Sequence, residues 1–340
     1  MIISPRRIRT LLLITLVWVG ACSKGAKDEP GTGQDSLQGA LGGQPLEPFQ
    51  FLLDWQAEPT YLGIYYAKAT GEFAKLGLDV EIIESWGANQ AVSAVAAGKY
   101  PISTASGGAT ILGYNSGADI VSLAVLYPRI PTVVYGLAST GVKTPKDLEG
   151  RTIGVYPSSI TKNEFDAFVK RNGLDARKLK IESLSGADIP LVMAGKVDAV
   201  LHYTEMSPVA VELGSPAQGI AGAKTFELRL AEYGVAGYGL NIVTSRARYA
   251  REGARLQKVA AAAVAGYQTG CRDRTAAVDT LMRIFPQKDS IYVRQSWDRV
   301  CNLLGPNPGR QDAAGWQETI DVYRGLGLLT RNVSPAAVLP

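Results

Sequence analysis

Strand-type and helix-type segments alternate along most of this 340-residue chain, and this alternation is what most constrains its fold. Short apolar or alternating segments predict strands at 49–53, 78–83, 102–105, 120–127, 151–156, 180–184, 199–203 and 240–244. Segments with helical periodicity separate many of them, for example 89–97 and 161–172. Strands that alternate with helices favour largely parallel sheets that are covered by helices on both faces. We therefore predict an α/β fold.

The predicted elements fall into two units, and the first unit is split around the second. Residues 47–139 form the first lobe, residues 140–239 form the second, and a strand at 240–244 returns the chain to the first lobe. Helical segments predicted at 247–269, 275–285, 290–304 and 313–326 continue the first lobe, which extends to residue 340. Two lobes joined by hinge crossovers are typical of binding proteins that hold a ligand in the cleft, where strand ends and helix N-termini converge.

The N-terminal residues have the pattern of a bacterial lipoprotein signal. Three arginines within the first nine residues precede an apolar run at 11–19, and two small residues precede Cys22. This run is about half the roughly 20 apolar residues that a membrane-spanning helix needs. We expect a signal peptide at 1–21 and lipidation of Cys22, which would anchor the protein to a membrane in the periplasm or at the cell surface. The alternative is an ordinary secretory signal followed by a chance cysteine.

Composition limits the classes of partner. Residues 22–46 are rich in small and polar residues and have no apolar period, so they predict a flexible lipid-anchored tether. The formal net charge is +4, but the basic residues are scattered among acidic ones and form no stripe suited to nucleic acid. We expect a monomer that binds a small molecule, does not bind nucleic acid, and contacts a membrane through Cys22.

Cysteine and histidine are scarce, which limits metal and catalytic chemistry. Cys271 and Cys301 remain after Cys22, and in an oxidising envelope they predict a disulfide, with two buried free thiols as the alternative. His202 is the only histidine and there is no Cys-x-x-Cys motif, so we predict no metal site. The chain has no nucleophile elbow, P-loop or dinucleotide-binding glycine motif after a predicted strand, so we predict neither enzymatic activity nor a cofactor.

Polar and aromatic residues at predicted strand ends are candidate ligand contacts in the first lobe. Trp55 follows the first strand, where its indole could stack on a flat ring or fill the core instead. Glu58 could accept hydrogen bonds or be a solvated loop charge, and Tyr61 could pack on a ligand or cap a helix. Ser106 and Gly107 precede a helix and offer N–H groups to an acceptor, unless they form only a tight turn.

A second set of candidates faces this one across the predicted cleft. Ser158 and Ser159 stand at a helix N-terminus, where they could hold a polar group or only cap the helix. Glu205 could bind a ligand or form a structural ion pair. The remaining candidates are aromatic residues at strand ends or near the return crossover: Tyr127, Tyr156, Tyr203 and Tyr238.

Several motifs of the chain resemble type II solute-binding proteins of ABC importers. The resemblance covers roughly residues 49–245 and is closest to the branch that binds the pyrimidine precursor of thiamine. That branch often has Asn and His after the Asp-Trp pair, where this chain has Glu58 and Tyr61. The matching motifs are Asp54-Trp55 with Pro59, Gly63 and Tyr65, then the runs 77–82, 144–155 and 195–199, and Tyr203-Thr204-Glu205.

The resemblance implies a two-lobed periplasmic binding protein type II fold and a function in import. The expected function is capture of the thiamine pyrimidine precursor, or a similar heterocycle, and its delivery to an ABC permease with ATPase subunits. Glu205 is then the acid expected to pair with an aminopyrimidine. The alternatives are a receptor for a small anion, such as an aliphatic sulfonate, taurine or nitrate, a receptor for riboflavin, and an enzyme of pyrimidine synthesis, which the lipoprotein signal disfavours.

Overall fold

The computed structural model describes residues 45–157, 159–186, 188–215 and 220–340. The signal peptide 1–21, the lipidation site Cys22, nearly all of the tether 22–46 and the candidate Ser158 lie outside the described residues. Within these four ranges, no helix combines the length and the apolar character needed to cross a bilayer.

Twelve strands and ten α-helices are defined in the described ranges. The strands are β1 (Glu47–Leu52), β2 (Leu78–Ile83), β3 (Ile102–Ser106), β4 (Ile120–Val125), β5 (Thr132–Leu137), β6 (Thr152–Val155), β7 (Lys180–Ser183), β8 (Ala199–Tyr203), β9 (Gly214–Ser215), β10 (Ile220–Ala221), β11 (Thr225–Arg229) and β12 (Leu240–Ser245). The helices are α1 (Leu62–Ala69), α2 (Ala88–Ala96), α3 (Gly107–Asn115), α4 (Ile160–Arg171), α5 (Asp188–Met193), α6 (Ser207–Leu213), α7 (Arg246–Arg272), α8 (Arg274–Ile284), α9 (Ser290–Leu303) and α10 (Ala313–Gly325).

Each lobe is built on a five-stranded sheet that contains one reversed strand. The order is β2-β1-β3-β12-β4 in lobe 1 and β11-β5-β8-β6-β7 in lobe 2. The strand β12 runs antiparallel to its neighbours β3 and β4, and β5 runs antiparallel to β8 and β11. These are the two strands that enter a lobe from the other lobe. They start at the hinge, where the parallel strands end, and must therefore run in the opposite direction.

The position of β5 corrects the predicted boundary between the lobes. Residues 47–139 were expected to belong to lobe 1, but β5 lies in the sheet of lobe 2, so that lobe starts before Thr132 rather than at residue 140. Five of the six β5 residues are buried, as expected of a strand inside a sheet. No helix separates β4 from β5, and for that reason the βα alternation does not reveal the crossing.

A close helix crossing in lobe 1 places the loop that follows β1. A Cβ atom on Gly63 of α1 would lie 2.3 Å from the ring of Tyr267, and one on Gly266 of α7 would lie 2.1 Å from the Gly63 carbonyl oxygen. Only residues without a side chain allow this approach. The Tyr267 hydroxyl then reaches the Thr60 carbonyl and donates a hydrogen bond at 2.7 Å.

A disulfide joins Cys271 of α7 to Cys301 of α9, with the two Cα atoms 5.5 Å apart. The bridge encloses α8, whose buried face of Ala277, Val278 and Leu281 packs into the same core as α7 and α9. It therefore ties together the C-terminal helices that cover one face of the first sheet.

The two hinge crossovers lie side by side. The Gly239 amide donates to the Tyr127 carbonyl at 2.9 Å, and the Tyr127 amide donates to the Leu240 carbonyl at 3.0 Å. Helix α10 packs against α3 of lobe 1 and α4 of lobe 2, so it also spans the junction. The cleft and the hinge consequently share the edge at which the parallel strands of both sheets end.

Candidate functional site

A buried aspartate organises the loop between β1 and α1. The side chain of Asp54 accepts hydrogen bonds from the Tyr61 hydroxyl at 2.8 Å and from the Thr104 hydroxyl at 2.6 Å, both at Oδ1. Burial raises the pKa of Asp54, and these two hydrogen bonds partly oppose the increase. Tyr61 is itself buried, so its role in this conformation is to hold the loop.

Glu205 lies at the junction of the lobes and is not fully hydrogen-bonded. It follows β8 of lobe 2, is completely buried, and accepts a hydrogen bond at Oε1 from the hydroxyl of Thr60 in lobe 1, at 3.1 Å. Its Oε2 atom makes no hydrogen bond to any described residue. Burial raises the pKa of Glu205 to about 7, although the hydrogen bonds and the charge of Arg299 lower it.

The hydroxyl of Tyr127 is a second buried polar group without a partner among the described residues. The pKa of Tyr127 is raised by burial and then by the nearby Glu205 charge, and the Thr60 hydroxyl, which lies near it without meeting hydrogen-bond geometry, partly opposes the rise. Buried polar atoms in folded proteins nearly always have a partner, and one left unpaired costs roughly 1–3 kcal/mol. An acceptor and a donor that are both unpaired therefore mark a place where a polar ligand could bind.

Two aromatic candidates lie at the strand ends near this polar centre. The pKa of Tyr203 is raised by burial and then by the nearby Glu164, Asp54 and Glu205 carboxylates, so its hydroxyl stays protonated and can donate a hydrogen bond. Trp55 directly follows Asp54, and its side chain is 40% exposed. The structure thus brings Trp55, Tyr127, Tyr203 and Glu205 to one edge of the two sheets.

Glu58 is engaged in a structural ion pair. Its Oε1 atom lies 3.2 Å from Lys288 Nζ, and its Oε2 atom accepts a hydrogen bond from the Tyr292 hydroxyl at 3.4 Å. In this conformation Glu58 is neither a solvated charge nor an acceptor that is free to bind a ligand. Its contacts fasten the loop to the segment around α9.

The backbone at the start of α3 is occupied by protein contacts. The Ser106 side chain accepts from the Ala109 amide at 3.2 Å, and the Gly107 amide donates to the Gly239 carbonyl at 2.7 Å. A Cβ atom on Gly107 would lie 2.2 Å from the Tyr238 carbonyl oxygen. The expectation that Gly107 offers its N–H to a ligand is therefore wrong for this conformation, because that group binds the return crossover.

Three further candidates have structural contacts. Ser159 caps α4 by accepting from the Lys162 amide at 3.1 Å. The Tyr238 hydroxyl accepts from the Asp312 amide at 3.0 Å, and its ring packs edge-on against Trp316. Tyr156 packs against the apolar cluster beneath β5, and burial raises its pKa.

Arg299 joins the lobes beside Glu205, and no sequence pattern indicated this residue. It projects from α9 of lobe 1, donates to the Thr204 carbonyl at 2.7 Å, pairs with Glu227 of β11, and lies 3.0 Å from Glu212 of α6. The same holds for Thr60, Thr104 and Tyr267. Among the residues that hold the site together, only Asp54 could have been found from the sequence, because it belongs to the Asp-Trp motif.

Comparison with known proteins places these features in context. The sequence profile of the family described as "NMT1/THI5 like" matches residues 58–276. The formylaminopyrimidine-binding protein of Halalkalibacterium halodurans is 23% identical over 287 residues, which cover 82% of this chain and 84% of that protein. The 4-amino-5-hydroxymethyl-2-methylpyrimidine phosphate synthase THI5 of Saccharomyces cerevisiae is 25% identical over 181 residues, and the match spans only 53% of that protein.

Solved structures identify the fold. The periplasmic aliphatic sulphonate binding protein SsuA from Escherichia coli has a TM-score of 0.68 at 18% identity, covering 86% of this chain and 92% of that one. The alkanesulfonate-binding protein SsuA from Xanthomonas axonopodis pv. citri has a TM-score of 0.64, also at 18% identity, covering 86% of this chain and 97% of that one. At this identity the likeness shows the fold alone, and it confirms the predicted two-lobed periplasmic binding protein architecture.

Proposed function

This chain belongs to the NMT1/THI5-like family, and from that premise we propose that it is the substrate-binding protein of an ABC importer and captures a small, flat pyrimidine between its lobes. The observation that carries the proposal is the buried pair Glu205 Oε2 and the Tyr127 hydroxyl, neither of which has a hydrogen-bond partner in the described part of the chain. The proposal also covers attachment through a lipid on Cys22, a periplasmic or cell-surface location, a monomeric state, and delivery to permease and ATPase subunits.

An aminopyrimidine complements these two groups. Its exocyclic amine donates hydrogen bonds, which the Glu205 carboxylate accepts, and its ring nitrogens accept a hydrogen bond from Tyr127. Hydrogen bonds to a charged group in a buried site are stronger than those between neutral groups. Glu205 belongs to lobe 2 and Tyr127 to the lobe 1 end of a crossover, so a ligand bound to both favours the closed arrangement.

Binding is favoured over synthesis by the extent of the similarity. The match to the formylaminopyrimidine-binding protein spans 84% of that protein, whereas the match to the yeast synthase spans about half of it. A receptor for a small anion is the second candidate. Glu205 would repel an anion, and side chains already cap the N-termini of α3 and α4, so these contacts favour the pyrimidine.

Titration calorimetry tests the proposal with the mature chain, residues 22–340, carrying Cys22→Ser. We expect saturable binding of formylaminopyrimidine and no binding of taurine, nitrate or riboflavin. Trp55→Ala should weaken pyrimidine binding by about tenfold because a stacked indole contributes on the order of 1 kcal/mol beyond its buried area. Leu76→Ala, which truncates an exposed apolar residue elsewhere, should leave the affinity unchanged. Binding of the anions alone would contradict the proposal.

Removal of the Arg299 contacts should destabilise the closed form. Arg299→Met breaks the interlobe bonds to Thr204, Glu212 and Glu227, so we expect pyrimidine affinity to fall by about 5- to 20-fold. Small-angle scattering at one subsaturating ligand concentration should then show a larger population of open molecules for the variant than for the wild type. Arg274→Met is the control, since Arg274 pairs with Asp298 inside lobe 1. Equal affinities for the wild type and both variants would refute an interlobe role for Arg299.

A further inference from the structure

The most exposed large apolar side chain of the described residues stands beside the candidate site. Trp86 is 72% exposed, and its ring centre lies 6.4 Å from that of Trp55, with the two ring planes at 80°. An indole left this far in water forgoes much of the free energy that its burial would provide. The half-exposed indole of Trp55 lies next to it, so the two rings together form an apolar corner and Trp86 is not an isolated surface residue.

The backbone around Trp86 is attached to the loop that carries Trp55. Residues 84–87 connect β2 to α2, and the Ser85 amide donates to the Trp55 carbonyl at 3.3 Å. The Trp86 amide donates to the Gln90 side chain at 3.2 Å. These bonds attach the backbone on either side of Trp86 to the loop that carries Trp55 and to the first turn of α2, which places the two indoles next to each other.

A buried hydroxyl in the same loop lacks a partner. Ser85 is 7% exposed, and its Oγ atom makes no hydrogen bond within the part of the chain that the structure describes. Like Glu205 Oε2 and the Tyr127 hydroxyl, it is one of eight buried polar side-chain atoms that lack a hydrogen-bond partner among the described residues. The loop therefore combines an exposed aromatic face with an unused polar group, at the strand ends where Asp54 and Trp55 also lie.

We propose that Trp86 is a second ligand-contacting aromatic residue, which forms with Trp55 a two-sided corner that selects planar heteroaromatic ligands. Two indoles at nearly right angles offer the face of one ring for stacking and the other ring for an edge contact, and both arrangements are favourable between aromatic groups. A small anion gains nothing from this corner. The inference rests on the proposed function and adds to it the residue that sets the preference for a flat ring.

Calorimetry on the mature chain with Cys22→Ser tests the inference. We expect Trp86→Ala to weaken formylaminopyrimidine binding by about 5- to 10-fold and Trp86→Phe by no more than about threefold. Because Trp86 is exposed, neither variant should change the melting temperature measurably. Leu76→Ala again serves as the control for loss of an exposed apolar side chain.

Fluorescence gives an independent measurement of the same contact. Trp297 and Trp316 are fully buried, and Trp18 belongs to the predicted signal peptide, so in a Trp55→Phe variant Trp86 is the exposed indole among the described residues. Saturation with formylaminopyrimidine should reduce acrylamide quenching of this variant at least twofold.

Two results would overturn the inference. If the wild type binds the pyrimidine but Trp86→Ala binds equally well and quenching is unchanged, the role of Trp86 fails and the proposed function stands. If the wild type binds no flat heterocycle, the proposed function fails as well.

Discussion

Glu205→Gln is expected to weaken pyrimidine binding by about 10- to 100-fold while making the ligand-free protein more stable above pH 7. The variant loses the charge that accepts the ligand N–H groups, and a hydrogen bond to a charged group contributes about 1.5–3 kcal/mol. It also removes a buried carboxylate of which one oxygen has no partner among the described residues. Affinity and stability should therefore change in opposite directions.

The stability effect depends on pH in a definite direction. Burial raises the pKa of Glu205 from 4.5 to about 7, so the folded protein binds more protons than the unfolded chain between these values. The favourable contribution is complete below pH 4.5, declines as the pH rises to about 7, and is absent above it, a loss of about 3 kcal/mol. Glutamine does not ionise and should remove this part of the pH dependence.

Urea unfolding at pH 5 and pH 8, combined with calorimetry at pH 8, measures both effects. Glu164→Gln is the matched control, because burial raises the pKa of Glu164 to about 7 too. Its two oxygens are already bonded to the Thr132 and Tyr323 hydroxyls, so its replacement should alter the pH dependence but leave affinity within about twofold. Glu205→Gln that binds like the wild type would exclude Glu205 as the ligand acceptor.

Removal of the disulfide is expected to cost about 3–4 kcal/mol of unfolding free energy with little change in ligand affinity. Cys271 and Cys301 are 30 residues apart, and closing a loop of that length in the unfolded chain contributes about this amount in the chain-entropy treatment. The candidate site is held instead by the α1–α7 crossing and by the bond from Tyr267 to Thr60.

Denaturant unfolding of the Cys271→Ser, Cys301→Ser double variant checks this expectation. Dithiothreitol should lower the stability of the wild type to the level of the variant and should not affect the variant, which controls for other actions of the reductant. A loss of less than about 1 kcal/mol would show that helix packing alone holds α7 and α9 together.

Local patterns were sufficient to predict most of the secondary structure. The expected helices at 247–269, 275–285, 290–304 and 313–326 agree with α7 to α10 within a few residues at most ends. Their apolar residues recur at helical spacing, and the periodicity is a property of neighbouring residues alone. The boundary between the lobes was misplaced because no strand was predicted at 132–137, and the partner strands of β5 are more than 60 residues away.

The candidate site could be predicted only in part. Trp55 and Glu205 follow strands and Tyr203 ends one, and parallel strands end at one edge, so their convergence could be expected from the order of elements. Capping of the helix by Ser159 was an open alternative that local sequence could not decide, whereas the alternative for Ser106 was a tight turn and not the cap that it forms. Glu58 forms an ion pair with Lys288, which is 230 residues away in the chain, and no local sequence pattern predicts such a pairing.

The sequence by itself determined the α/β alternation, the C-terminal helices and the aromatic and acidic residues at the strand ends, because each depends on residues within a few positions of one another. Only the tertiary structure decided which groups meet. Thr60 reaches Glu205 across 145 residues, and Arg299 reaches Thr204 across 95. It likewise left Glu205 Oε2 and the Tyr127 hydroxyl without hydrogen-bond partners among the residues that the structure describes. Burial and hydrogen bonding between distant segments depend on how the two lobes pack. That packing is set by a small difference between large opposing free-energy terms from the whole chain, which no local pattern records.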